Sequence, residues 1–164
     1  MLRSRMAMGA MLLALVSVEM PTPVVAQKTE PQPRTSKQVW SVIKMALIAP
    51  DGEDYFENYF KGAMVPGGVE GITVFTGTLL SAEPAAKPSV LVVAISDNTT
   101  PEVTLQMKDA EWKDTHLNGP LMRGSLIQFE GVPTAFTKKP FMLTLEVSVT
   151  KQSQIKVAEK DRKR

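Results

Sequence analysis

The sequence predicts a small, mainly β domain of the α+β class, in which a five-stranded barrel follows a short helix–turn–helix. Between residues 72 and 149, apolar and polar residues alternate with the period of a strand that has one buried face. Glycine and proline interrupt these runs at short intervals, as is typical of turns between strands. Residues 37–48 instead carry apolar side chains at helical spacing.

The chain opens with a segment that has the features of a secretory signal peptide, residues 1–26. Arg3 and Arg5 precede an apolar run of 13 residues, and Val24-Val25-Ala26 provides a small-residue cleavage site. A helix that crosses a bilayer needs roughly 20 apolar residues, so this run is short for an anchor. We therefore expect cleavage after Ala26, no stable membrane span afterwards, and an exported protein, periplasmic or secreted.

Composition narrows the class of protein further. Cysteine is absent, which excludes disulfides and favours a bacterial cell-envelope protein over a small eukaryotic secreted domain. The net charge is +2, and removal of Arg3, Arg5 and Glu19 with the signal segment leaves 17 basic and 16 acidic residues. Such a balance gives no general attraction to nucleic acid, so no nucleic-acid partner is expected.

The ordered part is predicted to begin with a helical segment, residues 36–66, that packs on the barrel. Residues 27–35 are polar with two prolines and are expected to form a flexible linker. Ser36 is the expected N-cap of a helix over residues 37–48. Its apolar spacing predicts one buried side.

A second short helix is predicted after the turn at residues 50–52, capped by Asp51 and ended by Gly62. A β-hairpin across that turn is the alternative, because aromatic residues also favour strands. Four aromatic residues lie on this helix: Tyr55, Phe56, Tyr59 and Phe60. They are interpreted as a core-facing surface in preference to a stacking platform for a sugar or base.

The barrel is assigned to residues 67–150 and its strands follow from the alternation. Gly77, in the first strand, would allow that strand to coil without a side-chain clash. The stretch 133–140 is read as a loop because of its prolines and lysines. Residues 151–164 are expected to be a basic, disordered tail. The five predicted strands cover residues 72–81, 89–96, 102–108, the surroundings of Ile127 and Phe129, and 141–149.

Five strands with a long connection between the third and fourth suggest an OB-like barrel. The runs VWSVIKMALIAPDGEDYFENYFKGAMVPG, TPEVTLQM and GSLIQFEGVPTAFTKKPFMLTLEV also resemble a known module. That module is an OB-fold-like β-barrel found at the C-terminal end of exported bacterial proteins with tetratricopeptide-type repeats. The repeats themselves are absent here, since one helix–turn–helix cannot form a stacked solenoid. The resemblance implies a non-enzymatic envelope module that needs no cofactor.

An alternative class is a small metal-assisted or serine hydrolase built on the loop 109–116. His116 is the single histidine, and Asp109, Glu111 and Asp114 precede it. Transition-metal sites generally use more than one imidazole or thiolate, and no nucleophile-elbow motif surrounds Ser125. A solvated acidic loop is therefore the preferred interpretation.

A binding surface is the favoured functional hypothesis. OB barrels bind ligands across strands two and three, between the loops after strands one and four. The stretch 133–140 exposes an aromatic ring beside two lysines, which together can stack a ring and neutralise an anion. The preferred interpretation of this stretch is nevertheless that its lysines and prolines protect a strand edge from aggregation, because the patch is small and lacks a stripe of lysine and arginine. The candidate binding residues are Trp112, Arg123, Phe136, Lys138 and Lys139. The sequence thus predicts an exported binding module whose partner is a protein or glycan of the envelope.

Overall fold

In the part of the chain that it describes, the computed structural model has seven strands, a short helical segment and a 3-10 turn, Val69–Gly71. The structure describes residues 34–85, 87–108, 121–148 and 154–158, which belong to one compact unit, Gln32–Arg164. The predicted signal peptide and nearly all of the predicted linker lie outside these ranges. Within them, no helix has both the length and the hydropathy that crossing a bilayer requires.

The first helix, α1 (Ser36–Ile48), is capped one residue earlier than predicted. Thr35 Oγ1 accepts from the backbone N–H of Gln38 at 3.3 Å, and the Gln38 side chain accepts from Thr35 N at 2.7 Å. Ser36 Oγ accepts from the backbone N–H of Thr76 at 3.3 Å, which ties the start of the helix to the sheet. The prediction that Ser36 is the N-cap is therefore wrong by one residue.

A second helical stretch follows the turn and confirms the helical interpretation over the hairpin alternative. It consists of α2 (Gly52–Tyr55) continued by a π-helical turn, Phe56–Phe60. Asp51 precedes α2 but makes no side-chain capping bond, contrary to prediction. Gly62 has a φ of +80°, a conformation that glycine adopts without steric cost, and it ends the stretch as predicted.

The strands form a single mixed sheet in the order β5-β6-β3-β2-β1-β4-β7. All neighbouring pairs are antiparallel except β3 and β6, which run parallel. The strands are β1 (Phe75–Glu83), β2 (Val90–Ala94), β3 (Val103–Met107), β4 (Leu126–Phe129), β5 (Val132–Lys138), β6 (Phe141–Val147) and β7 (Ile155–Val157).

The prediction of a closed, five-stranded barrel is wrong in strand number and in closure, although the mainly β class is confirmed. The hydrogen-bonded order is open, with β5 at one edge and β7 at the other. The sheet is nevertheless strongly curled. Only residues 130–131 join β4 to β5, a span of at most about 11 Å. Strands β4 and β5 are separated by four other strands in the hydrogen-bonded order, which would place them about 24 Å apart in a flat sheet. The short connection therefore requires the sheet to curl.

The predicted loop 133–140 is largely the strand β5, which is a second correction. Pro133 lacks an N–H, but the pairing with β6 shifts register between Pro133 and Ala135. The Pro133 carbonyl accepts from Gly62 N at 3.1 Å. An edge strand tolerates proline at such a shift because no ladder donor is needed there. Proline content alone therefore misassigned this stretch.

The predicted disordered tail is a third correction, at residues 154–158. Here β7 pairs with β4, with Ile155 opposite Phe129 and Val157 opposite Ile127. Ile155 and Val157 are buried. The Gln154 side chain accepts from the backbone N–H of Ser148 at 2.6 Å. The rest of the predicted tail lies outside the described residues.

The core lies between the curled sheet and the inner side of α1. Trp40 is fully buried, and its ring makes edge contacts with Phe75 of β1 and Phe141 of β6 at centroid distances of 5.6 and 5.9 Å. Val39, Ile43 and Leu47 complete the buried stripe of the helix. This packing fixes α1 on the sheet and leaves its other side toward solvent.

Candidate binding groove

The two helical stretches and the chain that follows them enclose a mainly apolar groove of about 270 Å³. We call it the tyrosine groove. One wall is the edge of α1 that carries Val39, Val42 and Ile43. The second carries the tyrosines of α2 and the π-helical turn, and the third is the segment 63–69. Its lining residues are Arg34, Val39, Val42, Ile43, Tyr55, Tyr59, Phe60, Ala63, Met64, Val65, Pro66 and Val69.

Exposed apolar side chains concentrate at this groove. Eight large hydrophobic side chains are exposed among the described residues. Five of them line the groove: Val42, Tyr55, Tyr59, Met64 and Val69. Scattered exposed apolar residues are ordinary on a protein surface, but a contiguous group of them marks an interaction site. Among the described residues, the distribution makes the tyrosine groove the candidate interaction surface.

The four aromatic residues of the second helical stretch divide between core and groove. Phe56 and Phe60 are buried, as the core interpretation predicts. Tyr59 is 76% exposed and Tyr55 is 36% exposed, and their rings lie 6.0 Å apart. The core interpretation is thus confirmed for the two phenylalanines, whereas the two tyrosine rings remain accessible at the surface. Tyrosine differs from phenylalanine by its hydroxyl group, which favours a position in contact with water, whereas the phenyl ring favours the core.

The rim of the groove is held by an ion pair between Arg34 and Glu70. Arg34 Nε lies 3.1 Å from a carboxylate oxygen of Glu70, and both side chains are exposed. Glu70 has a φ of +50°, in the left-handed region that non-glycine residues rarely adopt. Such a conformation costs on the order of 1 kcal/mol, and backbone strain of this kind is frequent at ligand sites. The ion pair connects the start of α1 to the third wall.

The α1 wall is anchored to the sheet through the buried carboxylate of Glu102, whose side chain is 1% exposed. Lys44 Nζ and Ser96 Oγ each donate to one carboxylate oxygen at 2.6 Å. The backbone N–H groups of Ser96 and Ile95 donate to the other, at 2.6 and 3.0 Å. Burial raises the pKa of the Glu102 carboxyl, but these hydrogen bonds outweigh it and leave the pKa below its ordinary value. Glu102 therefore fixes α1, and with it one wall of the groove, to the sheet.

Three of the predicted binding residues lie on or next to β5, where two of them are engaged by the helical segment. The Phe136 ring packs on Phe56 at a centroid distance of 4.9 Å. Lys138 Nζ donates to the Ala49 carbonyl at 3.1 Å, at the end of α1. Lys139 follows in the turn and is exposed. Phe136 and Lys138 thus help to hold the second wall of the groove in place.

Arg123 lies apart from these residues, in the turn before β4. It borders a separate pocket of about 300 Å³ that Thr78 of β1 and Asn98 also line. The Thr78 hydroxyl donates to Asn98 Oδ1 at 3.1 Å. Trp112 lies outside the described residues, so its predicted place in the binding surface stays a prediction.

Asp97 precedes Asn98 in the chain, and its carboxylate is bound within the turn rather than lining this second pocket. Backbone N–H groups of Thr100 and Thr99 donate to Asp97 at 2.6 and 2.7 Å. These bonds hold the pKa of Asp97 well below its usual range, so the carboxylate is ionised at neutral pH.

The proposed hydrolase loop, with Asp109, Glu111, Asp114 and His116, lies outside the described residues. Ser125 is described; it is buried just before β4, and its backbone N–H donates to the Met122 carbonyl at 3.0 Å. The described residues contain no group of three or more side chains suited to hold a metal ion.

Comparisons with protein-family models, with curated proteins and with solved structures found no match for this chain.

Most residues of the tyrosine groove were not predicted from the sequence. Val42, Met64 and Val69 carry no chemical signature, and they come together only in the folded chain. The signal that the sequence does carry is the repeated Tyr-Phe pair, at residues 55–56 and 59–60.

Proposed function

We propose that this chain is an exported, non-enzymatic binding module of the bacterial cell envelope, which engages a partner protein through the tyrosine groove. The single observation that carries the proposal is the concentration of exposed apolar side chains in a groove between two helical walls. Grooves of this kind suit the apolar side chains of another polypeptide, because burying them removes apolar surface from water.

A protein partner is favoured over a glycan by the chemistry of the walls. Sugar recognition needs convergent hydrogen-bonding side chains around a few apolar or aromatic faces. The tyrosine groove is lined mostly by aliphatic residues, with Arg34 and the two tyrosines as its polar contributors. Arg34 is already paired with Glu70. Few groups are thus free to bind sugar hydroxyls.

An OB-like relationship is supported by the pairing of the sheet. The coiled strand β1 pairs with β4 over its first half and with β2 over its second half. The non-consecutive strands β3 and β6 lie side by side. Partly open Greek-key sheets of the OB class combine such a coiled strand with a non-consecutive pair. The resemblance to modules of exported bacterial repeat proteins belongs to the same proposal.

Site-specific photo-crosslinking in cells tests the binding role. A photoreactive phenylalanine analogue at Tyr59 is expected to trap one partner protein, identifiable by mass spectrometry. The same analogue at Met122, which is 60% exposed and does not line the groove, serves as the matched control. Adding Val42→Ser and Val69→Ser is expected to abolish the Tyr59 product. Identical products from positions 59 and 122, or none from position 59, would contradict the proposal.

Export is tested separately by the mass of the N-terminal peptide of the protein recovered from a bacterial periplasm. We expect that peptide to begin at Gln27, and Ala26→Tyr to block cleavage, because signal peptidases need small residues at that position. Recovery of the uncleaved chain from the cytoplasm alone would contradict export and would leave the groove proposal intact.

A further inference from the structure

The wall of the tyrosine groove that carries the tyrosines is acidic. Asp51, Glu53, Asp54 and Glu57 lie on the stretch that presents Tyr55 and Tyr59. Two of the four carboxylates have cations nearby. Glu57 is 2.9 Å from Lys61 and Glu53 is 3.5 Å from Lys138. Within the part of the chain that the structure describes, no cation lies at ion-pair distance from Asp51 or Asp54.

The opposite wall supplies apolar surface without opposing charge. From α1 the groove is lined by Val42, which is 44% exposed, and by the mostly buried side chains of Val39 and Ile43. Arg34 stands at the end of this wall, but Glu70 neutralises it. The apolar lining of the groove therefore adjoins a helical stretch that carries an excess of negative charge outside the lining itself.

We propose that the tyrosine groove binds a polypeptide segment in which an apolar anchor side chain is flanked by lysine or arginine; this rests on the proposed function. The apolar anchor fills the space between Val42, Tyr59 and Val69 and supplies affinity by desolvation. The basic flank lies along the acidic stretch beside Asp51 and Asp54 and sets orientation and specificity.

Three synthetic peptides of equal length separate the anchor from the flank. The first carries leucine anchors with lysine flanks, the second the same anchors with glutamate flanks, and the third serine in place of the anchors with lysine flanks. Binding to the purified full chain is followed by two-dimensional NMR. We expect the first peptide to shift signals of groove residues. We expect the second to bind at least about tenfold more weakly, since like charges then face each other, and the third not to bind at the groove.

Two variants of the protein test separately the acidic stretch and the apolar contact. The double variant Asp51→Asn with Asp54→Asn is expected to bind the lysine-flanked peptide about three- to tenfold more weakly than wild type at low salt. Added salt is expected to reduce this difference in affinity. Tyr59→Ser is expected to weaken binding of the same peptide irrespective of salt. Met122→Ser is the control, because its side chain is exposed outside the groove. Matching NMR spectra of the free variants establish that each one folds.

The outcomes distinguish the two proposals. Equal binding of lysine- and glutamate-flanked peptides, or signal shifts confined to residues outside the groove, would overturn the inferred partner chemistry. So would binding of none of the three peptides. In each of these cases a Tyr59-dependent cross-link in cells would still support the proposed function, and its loss would overturn that function as well.

Discussion

At the scale of single residues, Glu102 joins three parts of the molecule at one carboxylate. It receives hydrogen bonds from Lys44 of α1 and from Ser96 and Ile95 after β2, while it directly precedes β3 itself. The sequence shows Glu102 as an ordinary polar residue at the start of a strand. Its burial is decided by α1, which lies 58 residues earlier and brings Lys44 over it. A local sequence pattern holds no information about such a distant partner.

The first prediction is that Glu102→Gln lowers the free energy of unfolding by about 2 kcal/mol at neutral pH, because hydrogen bonds to a charged acceptor are lost. The folded-state pKa of Glu102 lies below its ordinary value. Its stabilising effect is therefore present above the unfolded-state pKa and is lost as the pH falls through the folded-state pKa. The difference between wild type and variant should shrink on acidification, measured by urea unfolding across a pH series.

Glu146→Gln is the control for this experiment, because Glu146 forms an exposed pair with Lys108. Exposed pairs contribute between about 0 and 1 kcal/mol, so a small change is expected. A Glu102→Gln deficit that stayed constant from neutral to acidic pH would contradict the role assigned to the ionised carboxylate.

At the scale of elements, the coil of β1 depends on Gly77. A Cβ built at Gly77 would lie 2.5 Å from Val93 Cγ1 and 2.7 Å from the Ala94 carbonyl oxygen. The strand can therefore approach β2 closely at a point where it also pairs with Ile127 of β4. The sequence analysis expected a coiled first strand at this glycine, and the close approach agrees with that expectation.

The second prediction is that Gly77→Ala destabilises the fold by about 2 kcal/mol, the usual cost of forcing an extra methyl group into a packed site. Chemical denaturation measures the change. Thr76→Ala, on the half-buried neighbouring position, removes atoms without a clash and is expected to cost less. If both variants were equally stable, the close approach at Gly77 would not limit the sheet.

The tail strand β7 is the element that the sequence analysis assigned least well. Its three residues, Ile155–Val157, are too few for a period to be recognised, and basic residues surround them. Their conformation is set by β4, whose edge would otherwise expose unpaired backbone groups and the buried row that includes Phe129. Tertiary pairing thus overrides a weak local signal.

The third prediction follows from the burial of Ile155. Ile155→Ala should lower the free energy of unfolding by about 2–4 kcal/mol, as core truncations of this kind do. Lys156→Ala, on the next and half-exposed position, should change it by less than about 0.5 kcal/mol. Equal and small effects in thermal or urea unfolding would restore the interpretation of a disordered tail.

At the scale of the whole molecule, the exposed side chains of the tyrosine groove are expected to contribute little to folding, which leaves them available for the proposed role in binding. Val42, Tyr59 and Val69 are 44–76% exposed, whereas Val39 on the same helix is 2% exposed. The hydrophobic stabilisation of a side chain scales with the apolar area that folding removes from water. Stability and recognition are therefore separable on this surface.

The fourth prediction is that the triple variant Val42→Ser, Tyr59→Ser and Val69→Ser keeps its free energy of unfolding within about 1.5 kcal/mol of wild type, as expected of surface substitutions. The single variant Val39→Ser should lose more, because it places a hydroxyl in the core. Urea denaturation of both variants gives the comparison. A larger loss in the triple variant would place these side chains among the residues that hold the fold together.

The sequence by itself determined the mainly β class, helix α1, the end of the second helical stretch at Gly62 and most of the long strands. Each depends on local periodicity or on a single backbone preference. The open, curled sheet, strand β5 with its proline, strand β7 and the tyrosine groove were decided by the tertiary structure alone. They arise where residues far apart in the chain meet, as Gly131 does with Val65. Long-range pairing and burial outweigh local propensity at these contacts. They provide hydrogen bonds for backbone groups that would otherwise be unpaired, and they remove apolar surface from water.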